Sequence, residues 1–479
     1  MLGALLGVAG ALVTASPATA APGLVVGAVE DDVRASSLVE AQTKMTLFRL
    51  AGFRAVRVTS FWTPGLTAPS ENEVRVVESV AAAAETNGVR LYVTVMHPGS
   101  RTTPTTDEAR AEFASYAAAL VEAVPDVRHL IVANEPNLNR FWLPQFGLDG
   151  SSAAPAAYLS LLARTYDAVK EVSAEVKVYG GAVSPRGTDR PDGIRPTHSP
   201  TTFIRALGAA YRASGRTAPI MDAFVQHVYG DHSSQAPTVA HPLGTAVGVA
   251  DYEKLVGLLT EAFDGTAQRG STLPILYGEY GVESQIPARK EALYTGTEPT
   301  TTRPVTEATQ ATYYAQALAL AFCQQNVSGV LLFPSQDEKA RAGWQSGVRY
   351  ADGSAKTSFA RVREALDRTA GGSITRCPGI QLVVRAVGLR FGSRGAARRG
   401  IFRTTFTCNL DCIYEVRVVK VGGATKMVRR GRAEVDEEVA VEFASRRLGA
   451  GTYRYRLKLV HPVNPGPPTV RNGPVFGLP

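Results

Sequence analysis

Two glutamates stand where otherwise apolar runs stop. Glu135 closes "HLIVANEP" (129–136) and Glu279 falls within "PILYGEYG" (274–281), each after a stretch rich in β-branched and aromatic residues. A charged carboxyl is costly to bury unless it is paired, so a run that ends on one has either reached solvent or delivers the group to the rim of a site. Two carboxyls held together suit proton transfer by one and nucleophilic attack by the other. Similar runs end on other chemically able residues. Arg57 lies in "AVRVTSFW" (55–62), His97 closes "VRLYVTVMH" (89–97), Asn134 precedes Glu135, and His227 and Tyr229 fall in "MDAFVQHVYG" (221–230).

Something must bring these distant residues together. Eight apolar, β-branched runs occur before Cys377, the remaining ones being "LVVGAVE" (24–30), "VKVYGGAVS" (176–184) and "SGVLLFPS" (328–335). Longer stretches with helical spacing separate them, such as "ENEVRVVESVAAAAETNG" and "ATYYAQALALAFCQQN", and "SFARVREALDR" follows the last. This alternation predicts an α/β fold, a (β/α)8 TIM barrel over residues 22–370. An open doubly wound sheet is the rival, but no G-x-G-x-x-G follows the first run and no P-loop lysine motif occurs. In a barrel the loops after the strands build the site, so the fourth and seventh strands bring Glu135 and Glu279 to face each other across its mouth. Asp31, Asp32, Glu283, Asp337 and Glu338 fall on the same rim and read as substrate-binding or loop-structural groups. The long segments 137–154, 230–249 and 283–305 are expected to wall the cleft.

This ordered set resembles the large clan of retaining glycoside hydrolases whose acid/base and nucleophile lie on strands four and seven, including families five and thirty-nine. The resemblance spans residues 24–369 and is carried by "ANEP", "YGEYG", "VRVTSFW", the His-x-Tyr of "VQHVYG" and "GVRYADGSAKTSFARVREAL". It implies Glu279 as nucleophile and Glu135 as acid/base, their carboxyls about 5 to 5.5 Å apart, acting on a β-type glycosidic bond by double displacement. It also implies that Arg57 and Tyr229 hold the Glu279 carboxylate and that Asn134 binds the sugar 2-hydroxyl. His97 and His227 would orient the acid/base or bind substrate, unless they are core residues. Trp62, Trp142 and Trp344 would offer aromatic faces to an oligo- or polysaccharide. Strand eight departs from the clan: many members end it with Trp, whereas this chain reads "LLFPSQDE" with Phe333, which leaves Trp344 as the substitute. No metal and no organic cofactor is implied.

The 479 residues exceed one ordinary domain. From Cys377 onward short alternating runs replace the helical spacing, among them "IFRTTFTC", "IYEVRVVKV" and "TYRYRLKLV", which predicts an immunoglobulin-like β-sandwich over 377–479. Residues 370–479 carry 19 Lys and Arg against 7 Asp and Glu, a net +12 that leaves −4 for the rest of a +8 chain. Such an excess either solvates strand faces or binds an acidic glycan, an anionic cell-wall polymer or a membrane surface. With the arginines spread over every strand and no aromatic platforms, nucleic acid is not expected. "MLGALLGVAGALVTASPATAAPG" reads as a secretory signal, residues 1–21, although no Lys or Arg follows Met1; no later run is long enough to cross a bilayer. The four cysteines suit an oxidising, extracellular compartment, and of three pairings 323–377 with 408–412 is preferred. A catalytically silent carbohydrate-binding protein on the same scaffold is the competing function, as is a docking module that carries the barrel as cargo.

Overall fold

Each of the eight apolar runs forms a strand, and together they close into one parallel barrel. The computed structural model describes residues 24–370, 384, 386–392, 400–408, 412–434, 437–460, 462 and 468–478. The expected signal segment and Cys377 lie outside the described residues. The strands, in chain order and in ring order, are β1 (Val25–Val29), β2 (Ala55–Phe61), β3 (Arg90–Met96), β4 (His129–Val132), β5 (Lys177–Val183), β6 (Ala223–His227), β7 (Ile275–Tyr280) and β8 (Val327–Leu332). The helices between and after them are α1 (Leu38–Leu50), α2 (Glu71–Thr86), α3 (Asp107–Ala123), α4 (Ala154–Val172), α5 (Pro200–Ala213), α6 (Tyr252–Phe263), α7 (Glu307–Phe322) and α8 (Phe359–Ala370).

Local chemistry sets the helix starts. The side chains of Ser70, Thr106, Ser199 and Thr306 each accept a hydrogen bond from the backbone N–H three residues on, at the heads of α2, α3, α5 and α7. Pro200 opens α5, where its missing N–H costs nothing. The strands bury both faces, as a parallel barrel requires, so they read as near-continuous apolar runs. Inside the ring a separate cluster that includes Val29, Ala55, Tyr92, Ile131, Val225, Leu276 and Leu331 fills the centre and forms the floor beneath the mouth. No helix among the described residues is long and apolar enough to cross a membrane.

After α8 come two antiparallel sheets. One has the order β13-β10-β9 and the other β12-β11-β14-β15, formed by β9 (Ala386–Arg390), β10 (Ile401–Cys408), β11 (Cys412–Lys420), β12 (Thr425–Ala433), β13 (Val439–Ala444), β14 (Gly451–Val460) and β15 (Thr469–Leu478). Phe402, Phe406, Val416, Val418, Phe443, Tyr455, Leu457 and Leu459 share its core. The strand β15 is not among the alternating runs singled out in the sequence; Pro474 is tolerated there because β15 is an edge strand. Cys408 and Cys412 are bonded to each other as expected, and Cys323 is also disulfide-bonded.

The charges of the sandwich are less evenly spread than the sequence suggests. Cross-strand register puts Arg430 opposite Glu415 and Lys458, Arg417 opposite Arg456, and Arg432 and Arg454 on the same face. Among the described residues six cations thus share one outer sheet face with a single carboxylate, Glu415, which Arg417 and Arg430 contact at 2.5 and 2.7 Å.

Candidate active site

Strict alternation along β7 would turn residues 276, 278 and 280 toward the barrel interior. Leu276 does lie in the interior cluster, but Tyr280 packs against Tyr314 of α7. Pairing slips between Tyr277 and Tyr280 against β8, and between Gln226 and His227 against β6. Those slips bring Glu279 inward beside His227. Gly278 permits the approach, since a Cβ there would lie 2.4 Å from Val225 Cγ1 and 3.2 Å from the His227 ring.

Glu135 arrives differently. The fourth strand stops at Val132, not at Glu135 as its sequence suggests, and the chain turns through left-handed geometry at Ala133 (φ 64°) and Glu135 (φ 41°). Such geometry costs a non-glycine residue roughly 1–2 kcal/mol, so neighbours must hold it. The Glu135 N–H donates to Ala182 O at 2.8 Å, at a bulge in β5. Asn137 locks the turn from the other side: its amide nitrogen donates to Ser184 O and His198 O, and its oxygen accepts from Ser184 N–H at 2.8 Å.

The two carboxyls meet. Oxygens of Glu135 and Glu279 and a ring nitrogen of His227 all lie within 4.8 Å of one another. Arg57 Nη2 stands 2.8 Å from Glu279 Oε1, Nη1 donates to Gly278 O at 3.2 Å, and Nη2 also reaches Asn134 Oδ1 at 3.4 Å. The Tyr229 hydroxyl donates to Glu279 Oε2 at 2.9 Å. His227 Nδ1 lies 2.9 Å from Glu135 Oε1 and 3.4 Å from Glu279 Oε2. Both neighbours accept, which assigns Nδ1 a proton.

Electrostatics distinguishes the pair. Burial alone would raise the Glu279 carboxyl, but the charges of His227 and Arg57, with hydrogen bonds from Tyr229 and Arg57, outweigh it and hold the group below its ordinary value. Burial and the adjacent Glu279 charge push the Tyr229 phenol far above its usual range, so it stays a donor. Glu135, Glu279 and His227 are the one group among the described residues whose donor atoms lie close enough to hold a metal ion. Their donors already engage one another and the Arg57 guanidinium.

Arg57, Asn134, Glu135, His227, Tyr229 and Glu279 therefore converge as expected, and three aromatic or imidazole expectations need correction or narrowing. Trp62 and Trp142 offer no face to a ligand. Trp62 is fully buried against Phe113 of α3 with its indole N–H on Leu66 O, and Trp142 is 1% exposed between His97 and Tyr158. His97 bonds Gly99 O in its own loop through Nδ1 and, among the described residues, has no hydrogen bond to either carboxylate. Burial lowers its affinity for a proton, which fits a neutral loop anchor. Trp344 does reach the site: it stacks on Tyr229 with centroids 4.8 Å apart and meets Phe333 edge-on.

The rim carboxylates divide by role. Asp31 Oδ1 accepts from Thr59 N–H, and Asp337 pairs at 2.8 Å with Lys356, a pair in which each side chain is 1% exposed. Lys356 also donates to Ser284 Oγ and Gln345 O, so it ties the loop after β7 to the loop after β8. Segments 230–249 and 283–305 wall a cleft beside Tyr229 and Trp344, as expected, whereas Asn137 and Gln145 of 137–154 brace the Glu135 turn. Sequence reasoning did not single out Arg186, which lines the same cleft from the loop after β5. No motif marks it.

No family model and no curated protein matches the chain. Among solved structures it is similar to a glucosidase from Croceicoccus marinus, at 11% identity over 88% of this chain and 93% of that one with a TM-score of 0.49. It is also similar to a GH39 enzyme from Xanthomonas axonopodis pv. citri, at 15% identity over 89% and 93% with a TM-score of 0.46. A beta-glucuronidase from Bacteroides uniformis matches at 11% identity and a TM-score of 0.46; the chain covers 46% of that protein's length and 95% of its own is matched. The functional reading rests instead on the geometry of the site.

Proposed function

We propose that the protein is a secreted retaining glycoside hydrolase cleaving a β-type glycosidic bond. The observation that carries this reading is the pair of carboxyls within 4.8 Å, of which only Glu279 has a guanidinium against it. Retention needs close carboxyls, about 5 to 5.5 Å apart, whereas inversion leaves room for a water at about 6.5 to 9.5 Å. In the first step Glu279 attacks the anomeric carbon, the bond to the leaving oxygen breaks, and protonated Glu135 gives its proton to that oxygen. In the second, Glu135 takes a proton from water as the water oxygen attacks the same carbon and frees Glu279.

Arg57 and Tyr229 keep Glu279 ionised and aimed, and His227 fixes the orientation of Glu135. Asn134, held by Arg57, is the partner for a sugar hydroxyl. Incubation with a panel of aryl β-glycosides, with the anomer of the first-formed product read by NMR, tests the scheme. Retained configuration lost in Glu279→Ala supports it. Silence of the wild type on aryl and polymeric substrates favours the competing reading, a binding protein without turnover.

The basic sheet face supports an additional role for the C-terminal sandwich. Six cations around one neutralised carboxylate, among the described residues, form a basic surface suited to an acidic polysaccharide of the kind found in cell walls.

A further inference from the structure

Beside the carboxylate pair, the loops after β6 and β7 line an open cleft of about 170 Å³. Its walls are built together. Glu283 N–H donates to Ser233 Oγ at 3.0 Å, Ser233 N–H to Thr302 O at 3.0 Å, and Val305 N–H to Glu283 O at 3.0 Å. Arg186 donates to Gly230 O across the cleft's edge. Tyr229 and Trp344 line it on the side of Glu279.

Glu283 is the anomaly in this wall. It is 7% exposed, yet its carboxyl accepts one marginal hydrogen bond among the described residues, from Gln345 N–H at 3.5 Å. Lys356 is the nearby cation, but its ammonium is already on Ser284, Asp337 and Gln345. Asp337 and Glu298 add negative charge from neighbouring loops. Burial thus pushes the Glu283 carboxyl up to about 7. Its remaining hydrogen-bonding capacity is not sealed off but opens on the cleft that Glu283 lines, where a ligand can use it.

The walls say which kind. An indole on one side, with Arg186, His232, Gln235 and Thr301 around it, combines an apolar plate with donors and acceptors of both signs. A ligand of a single charge would be repelled by part of that lining; a sugar ring, with a C–H face and hydroxyls that both donate and accept, matches all of it. We propose that this cleft seats a second sugar ring, next to the ring over Glu135 and Glu279, and that Glu283 hydrogen-bonds its hydroxyls. The proposal rests on the glycosidase reading and makes the natural substrate an oligo- or polysaccharide.

The test uses the full chain carrying Glu279→Gln, titrated by calorimetry with glucose, xylose and mannose and with the β-1,4-linked trisaccharide of each. In at least one series the trisaccharide is expected to bind about ten-fold or more tighter than its monosaccharide. Adding Glu283→Leu is expected to remove most of that advantage. Thr301→Trp, which fills the cleft from its exposed rim, should do the same and serves where the first variant does not fold. A trisaccharide no tighter than its monosaccharide in every series overturns the proposal, as does an advantage that survives both second substitutions. Turnover by the wild type is measured separately: its absence sinks the glycosidase reading, while the titration still decides the cleft.

Discussion

Arg57 of β2 and Glu279 of β7 form a buried ion pair at 2.8 Å that crosses the mouth of the barrel. Breaking it leaves the carboxylate without its guanidinium partner. Arg57→Ala is expected to lower kcat/KM by about 100-fold or more, as removal of a pre-organised electrostatic partner does. Because Glu279 is held below its ordinary value, the acid limb of the wild-type profile lies below pH 4.5 and moves upward in the variant. A pH–rate series on the best aryl glycoside checks this; an unmoved limb would detach Glu279 from that ionisation.

Glu283 makes stability depend on pH in the opposite sense. Its carboxyl goes from 4.5 when unfolded to about 7 when folded, so between those values the folded chain holds a proton the unfolded chain has lost. Stability from this group is therefore present at low pH and falls as pH rises from 4.5 to 7. The penalty at pH 8 is on the order of 3 kcal/mol. Glu283→Gln is expected to be more stable than the wild type at pH 8 and nearly equal at pH 4, as read by urea unfolding. Equal gains at both pH values would rule out the ionisation as the cause.

Lys356 and Asp337 are a fully enclosed pair. Lys356→Ala strands Asp337 with Tyr294 and the Gly347 N–H as its remaining partners, and is expected to cost about 3–5 kcal/mol. Lys356→Ala with Asp337→Ala should cost less than the sum of the two single changes. Additive losses in thermal unfolding would show that the two charges do not depend on each other.

The basic sheet face predicts salt-dependent retention. The protein is expected to bind immobilised polygalacturonate at about 20 mM salt and elute by about 500 mM, where charges are screened within a few ångströms. Arg456→Glu with Lys458→Glu should abolish retention without altering turnover of aryl glycosides. Retention that is insensitive to salt, or equal on neutral xylan, contradicts an electrostatic dock.

The barrel was legible because its strands are buried on both faces and announce themselves as apolar runs, and the carboxylates because they are chemically out of place at the ends of such runs. The fate of the tryptophans was not. An aromatic residue just past a strand can turn over the mouth or under the next helix, and Trp62 and Trp142 take the second course through contacts with Phe113 and Tyr158 that lie 51 and 16 residues away in sequence. The β4 boundary was misread for a similar reason. Nothing in "ANEP" signals left-handed geometry at Ala133, whose N–H donates to Val95 O of β3, or at Glu135, whose N–H donates to Ala182 O of β5. Arg186 and Glu283 lie almost a hundred residues apart and become neighbours only once three loops fold over one another.

The slipped pairing of β7 has a consequence for how this chain tolerates change in length. Leu276 and Glu279 share the interior only because the ladder skips between them. Resuming plain alternation at unchanged length would swing the carboxyl into the helical shell, whereas a one-residue deletion or insertion leaves the two residues an even number of positions apart, on one face without the skip. A one-residue deletion between them should thus keep the carboxyl turned toward the interior and shift it along the strand, away from Arg57 and Tyr229.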